Sequence, residues 1–214
     1  CFLVAIGYHG ENFHGSQIQP SVRTVQGALI DALKEIGWWS KGCLWIFSRT
    51  DSGVSVRMNL IRLDLPDRIA NSIKGSSVIT ALNDRLPDDI VAWGARKVPS
   101  TTSSRPIISR KYFYRCEVMK NWPQDVNLDI LEEACKLFIG THNFTNLCRL
   151  EEGKNPVRSV VNCEPWLNHD GRPIGISVTA ESFLWNQVRR MASAITGVVS
   201  GELELELVAN ALKN

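Results

Sequence analysis

A chain of 214 residues with 44% hydrophobic and 21% charged side chains has the composition of a globular protein, not of a collagen-like, mucin-like or intrinsically disordered one. Its 24 basic and 22 acidic side chains leave a net charge of +2, so overall charge selects no class of partner, and a chain of this size can bury a core without disulfide or metal staples. Apolar runs such as Ile195 to Val199 are far shorter than the ~20 residues needed to cross a bilayer.

Taken in chain order, Cys1 to Tyr8 reads as a strand; it lacks an initiator methionine and a basic leader, and the expectation is that the chain begins a few residues into the natural product. Thr24 is placed as an N-cap, with Val25, Leu29, Leu33 and Ile36 at helical spacing before Gly37, which predicts an amphipathic helix closed by a glycine. Ile61, Leu63 and Leu65 alternate with Arg62 and Asp64, the period of a strand. Tyr112, Tyr114, Cys116 and Val118 alternate with Phe113, Arg115, Glu117 and Met119 in the same way, so Tyr112 and Tyr114 are expected on one face. A second helix is predicted from Asn127 through Leu128, Leu131, Cys135 and Phe138 to Gly140, and a third carries Leu184, Val188, Met191, Ile195 and Val198 on one stripe.

The order strand, helix, strands, connector, strand, helix, strands, helix is an α+β plan in two similar halves. The Pro- and Ser-rich stretch from Pro99 to Pro106 suits an exposed link, which sets the expected lobes at 1–104 and 105–214.

Six cysteines, Cys1, Cys43, Cys116, Cys135, Cys148 and Cys163, lie apart with no C-x-x-C pair and no histidine at ligand spacing. Free buried thiols in a reducing, cytoplasmic setting are expected, with no metal. Arg105, Arg110, Lys111 and Arg115 are interleaved with Tyr112, Phe113 and Tyr114 and no acid. Such a strip suits a polyanion with flat bases, because cations meet phosphates and rings stack on unpaired bases; it equally suits a solvated basic strand edge.

From Phe47 to Val54 an apolar run ends in small and polar residues around one acid, Asp51, which predicts a loop at a strand end. A carboxylate between Arg49 and Gly53 can serve a ligand held against a tight bend, or can only cap its own loop as an Asx turn. In Phe183 to Met191 two adjacent arginines, Arg189 and Arg190, interrupt an apolar helix. They differ by about a third of a turn, so one is expected beside the buried stripe with an anionic partner, for which Asp51 and Glu181 are both open.

Arg49-Thr50-Asp51-Ser52-Gly53-Val54 resembles the R-T-D-x-G-V signature of tRNA pseudouridine synthases of the TruA family. Similar matches follow in order along most of the chain: Tyr8-His9-Gly10, Gly15-Ser16-Gln17, Val25-Gln26, Leu82-Asn83, Leu86 to Ile90, Arg110 to Tyr114, Gly140 to Phe144, Arg158, and Phe183 to Met191. The resemblance implies a pseudouridine synthase fold: α+β, two similar lobes with antiparallel sheets and flanking helices, and an active-site cleft between them. It implies a tRNA substrate, isomerisation of uridine to pseudouridine in the anticodon stem-loop around positions 38 to 40, and a homodimer. No cofactor is expected, since the reaction has no redox change. Residue by residue, Asp51 matches the catalytic aspartate, Tyr112 the tyrosine against the target base and Arg189 the basic partner of the aspartate. Arg49 matches the signature arginine that reaches substrate, and Arg110 and Lys111 are expected among the substrate-binding residues. Ser16, Ser48 and Ser55 stand where the family commonly has Trp, Gly and His. The second reading is a catalytically silent RNA-binding module of the same fold.

Overall fold

The alternating residues Phe2, Val4, Ile6 and Tyr8 are all buried, and they make β1 (Phe2–Tyr8). A computed structural model describes residues 1–102 and 107–213. In it β1 is an inner strand of an antiparallel sheet with β2 (Leu44–Ile46), β3 (Val56–Leu63) and β4 (Ile90–Lys97), in the order β2-β3-β1-β4. The helices α1 (Val25–Ile36), α2 (Asp67–Ser72) and α3 (Gly75–Asn83) contribute to this core, as do Phe13, Cys43, Leu65 and Leu86 outside the helices and strands.

α1 forms as its sequence predicts. Thr24 Oγ1 accepts the Gly27 amide at 3.1 Å, Gly37 closes the helix in the left-handed region at φ 79°, and Val25, Leu29 and Leu33 are essentially dry. Each such burial contributes about 1.5–3 kcal/mol. α2 and α3 lie where only strands and connector were expected. Val78 and Leu82, one helical turn apart, bury α3, and Asn83 then locks it to β4, donating to Ala92 O and accepting the Ala92 amide, both at 2.8 Å.

A second sheet, order β5-β8-β7-β6, is built from β5 (Arg110–Arg115), β6 (Gly140–Asn143), β7 (Val157–Leu167) and β8 (Pro173–Ala180), all antiparallel. Its core comes from α4 (Leu128–Lys136), α5 (Gln187–Val199) and α6 (Leu205–Ala211) together with Ile176 and Val178 of β8 and Val160 and Cys163 of β7. Asn127 caps α4 by accepting the Asp129 and Ile130 amides at 3.0 and 3.2 Å.

Three expectations shift here. β5 stops at Arg115 instead of running to Met119, because Arg115 pairs with Gly175 and a continued ladder would call on Pro173, which has no N–H. Cys116 and Glu117 both donate to Ile174 O instead. α4 ends at Lys136, leaving Phe138 buried in the turn that follows. α5 starts at Gln187, and Leu184 precedes it.

The chain clusters into two compact units, Cys1–Pro106 and Ile107–Asn214, each with its own hydrophobic core. The boundary expected at 104/105, and Arg105 of the basic strip, lie outside the described residues. Among the described residues no helix is long and apolar enough to cross a membrane.

Candidate active site

The loop that carries Asp51 leaves β2 and is tied at nearly every step to residues distant in sequence. Asn59, buried in β3, donates through Nδ2 to Ser48 O at 2.7 Å and accepts the Ser48 amide at 3.3 Å. Ser16, 1% exposed, donates its amide to Thr50 O at 3.0 Å and accepts the Thr50 amide on Oγ at 2.9 Å. The Tyr8 hydroxyl lies 2.9 Å from Thr50 Oγ1, and burial pushes its phenol up, away from ionisation. Gly53 N and Ser52 Oγ donate to Phe13 O at 3.2 and 3.4 Å. Ser55 Oγ accepts the Gly10 amide at 3.0 Å. Two of the serines that depart from the family pattern, Ser16 and Ser55, thus hold this loop by hydrogen bonds.

The segment that faces the loop is itself fixed. Arg23 forms a two-pronged pair with Asp89 at 2.7 and 2.8 Å and covers the Phe13 ring at 4.0 Å. The Arg23 guanidinium holds the Asp89 carboxyl below the usual carboxylate range. Gly15 sits at φ +92°, and a Cβ there would stand 2.9 Å from Thr50 O, so a left-handed turn and a close approach both require glycine.

Between loop and segment lies a cavity of about 310 Å³ lined by His14, Gly15, Gln17, Gln19, Arg49, Thr50, Asp51 and Ser52. Arg49 and Asp51 are exposed on its wall, while Ser48 and Thr50 are half-buried. The strand-end loop read from the sequence is therefore present. His14 and Gln19 were not singled out by sequence; their signal was only proximity to the Gly15-Ser16-Gln17 match. Among the described residues no group of three or more His, Cys, Asp or Glu is disposed to hold a metal ion.

In the second unit β5 divides the basic strip between two faces. Arg110, Tyr112 and Tyr114 are half-buried on one side, and Lys111, Phe113 and Arg115 are exposed on the other. Tyr112 and Tyr114 share a face as expected. Tyr112 meets Phe183 edge to face, centroids 5.3 Å apart at 89°; Arg110 donates to Glu181 O. Lys111 instead pairs with Glu164 at 3.1 Å, over a surface where Phe113 packs on Trp166 at 5.3 Å.

Phe183 belongs to the turn that launches α5. Asn186 holds that turn in the left-handed region at φ 61°, and Gln187, fully buried, accepts the Leu184 amide at 2.8 Å. Both Arg189 and Arg190 are exposed, which corrects the expectation that one of them borders the buried stripe. At about 100° per residue, Arg189 stands roughly 160° and Arg190 roughly 100° from Met191, while the buried side of α5 runs through Met191, Ile195 and Val198. Arg149, missed in the sequence, stacks on Trp185 at 4.0 Å. The structure brings Asp51 together with Arg49 in the first unit, and Tyr112 with Arg110 on β5 in the second; Arg189 stands near the start of α5.

A family model described as tRNA pseudouridine synthase matches residues 134–214. The chain is 36% identical over 211 residues to the tRNA pseudouridine synthase A of Methanocorpusculum labreanum, covering 97% of this chain and 70% of that protein. It is 34% identical to the corresponding protein of Methanosphaera stadtmanae (97% and 73% covered), and 33% identical to that of Pyrococcus furiosus (97% and 72%). With identity of this size over nearly all of both units, and with the α+β fold and the R-T-D-S-G-V loop in place, the chain belongs to the TruA family of tRNA pseudouridine synthases, intramolecular isomerases.

Proposed function

We propose that the protein converts uridine to pseudouridine in the anticodon stem-loop of tRNA, around positions 38 to 40, with the target base extruded from its stack into the pocket. The observation that carries this reading is the Asp51 loop itself: the family signature, in a chain 36% identical to a relative over 211 residues, presents Asp51 and Arg49 on the wall of a 310 Å³ cavity.

Isomerisation breaks the N1–C1′ bond of uridine, turns the uracil and joins C5 to C1′; the C5 proton leaves and N1 gains one. Asp51 is the acid-base or nucleophilic group at the sugar and uracil. Arg49 meets the backbone phosphate, Tyr112 stacks on the base and takes part in removal of the C5 proton, and Arg189 is the cation that pairs with the aspartate. Arg110 and Lys111 contribute phosphate contacts. The face division of β5 supports a closer role for Arg110, which shares the side of Tyr112, than for Lys111, which is engaged with Glu164. The reading places the enzyme in the cytoplasm as a homodimer that needs no cofactor.

The test is site mapping. Incubated with an unmodified tRNA transcript, the protein is expected to place pseudouridine in the anticodon arm, with Asp51→Ala as the inactive control. Modification confined to the T loop contradicts the assignment of position, and binding of the transcript with no pseudouridine at all supports the silent RNA-binding alternative.

A further inference from the structure

Building on that reading of Asp51, we infer that Ser16 and Asn59 are positioning residues: two clamps that hold the residues on either side of Arg49 and thereby set where Arg49 and Asp51 stand. Ser48 is gripped on its amide and its carbonyl by the one side-chain amide of Asn59, at 3.3 and 2.7 Å. Thr50 is gripped in the same two places by Ser16, through Oγ at 2.9 Å and the backbone amide at 3.0 Å. A residue held on both its N–H and its C=O has the peptide plane on each side fixed, as in a paired strand. Side-chain exposure alternates along the segment. Ser48 and Thr50 face the protein half-buried, and Arg49 and Asp51 face the cavity exposed.

The clamps are anchored in the core. Asn59 is 3% exposed and Ser16 is 1% exposed, and Asn59 pairs with Ile6 across the β1–β3 ladder. The Tyr8 hydroxyl joins the two clamps, standing 2.9 Å from Thr50 Oγ1 and 3.5 Å from Asn59 Nδ2. Neither Ser16 nor Asn59 is among the residues that line the cavity. Their effect reaches the reaction through the place of Asp51, and a misplacement of about 1 Å at a reacting group is worth on the order of 100-fold in rate.

The sharp variant is Ser16→Ala, which deletes the acceptor of the Thr50 amide and leaves the backbone bond. Single-turnover kcat is expected to fall about 10- to 100-fold while the tRNA Kd stays within about threefold, because phosphate contacts elsewhere supply most of the affinity. Hydrogen exchange is expected to quicken in the peptide spanning 48–54 and to stay unchanged in β1 and β3, and Ser16→Thr, which keeps the hydroxyl, is expected to restore kcat. Tyr8→Phe keeps the ring and removes only the hydroxyl bond; it applies the same criterion, a lowered kcat at constant Kd, if Ser16→Ala melts below the assay temperature. A Ser16→Ala rate within twofold of the parent, or exchange in 48–54 unchanged, overturns the clamp. Failure of the parent protein to make pseudouridine would refute the activity and leave the exchange experiment to decide the clamp alone.

Discussion

Asp51 and Arg49 are exposed on a loop hydrogen-bonded at Ser48, Thr50, Ser52 and Gly53, so the side chains proposed to react project from a backbone held on both sides. That arrangement makes the effect of a side-chain change separable from folding. Tyr112→Phe keeps the edge-to-face contact with Phe183 and removes the hydroxyl; tRNA binding is expected to hold and the single-turnover rate to fall about 10²- to 10⁴-fold if the phenol carries the C5 proton. An unchanged rate limits the ring to stacking. The cysteines behave in the opposite sense to a reactive group. Cys43, Cys116, Cys135, Cys148 and Cys163 are buried and Cys1 is partly exposed. Burial pushes the Cys116 thiol up to about 12, and Cys135 is raised by its contact with Cys163 and by burial. Thiolates are the reacting form, so a disulfide reagent is expected to titrate Cys1 quickly and the buried five only on unfolding; a second fast thiol in the native protein contradicts this.

Elements carry the next level of consequence. The α1 stripe is continuous, and Leu33→Ala, at a position 1% exposed, is expected to cost about 2–5 kcal/mol in denaturant unfolding, with a cavity left behind. The Arg23–Asp89 pair fixes the wall opposite the Asp51 loop, and its contribution has a defined pH dependence. Asp89 is held below its unfolded value by Arg23, so the stabilisation is complete above the ordinary carboxylate value of about 3.9 and is lost as pH falls through the lower folded value. With the Arg23 side chain 42% exposed, the effect is modest. Asp89→Asn is expected to flatten the acid limb of the melting-temperature profile, and a limb of unchanged slope argues against the pair.

How much of this was legible follows from range. α1 was readable end to end because cap, stripe and glycine lie within one short stretch, and the Asp51 loop because its change of composition is local. α2 and α3 were not, since their N-cap residues Pro66 and Lys74 make no side-chain cap and α2 is only six residues long. Ser16 was visible only as a departure from a pattern. Its partner Thr50 is 34 residues away, and no periodicity reports a contact at that separation. The exposure of both Arg189 and Arg190 follows from a helical wheel set on Met191, Ile195 and Val198, since neither arginine falls on that stripe.

At the scale of the whole molecule, two units with separate cores carry residues proposed to serve one reaction. Affinity for tRNA is expected to fall about tenfold or more between 50 and 200 mM salt, as counterions released by Arg and Lys contacts require; salt-independent binding contradicts a phosphate-reading surface. Sedimentation at micromolar concentration is expected to show the homodimer, and a fully active monomer overturns that proposal. The central claim, that Asp51 performs the isomerisation, is tested most directly by release of tritium from tRNA labelled at C5 of uridine under single-turnover conditions. The parent protein is expected to release label in step with pseudouridine formation, and Asp51→Asn to lose at least about 10³-fold in rate with tRNA affinity kept within about tenfold. An Asp51→Asn protein that releases tritium at the parent rate contradicts the account.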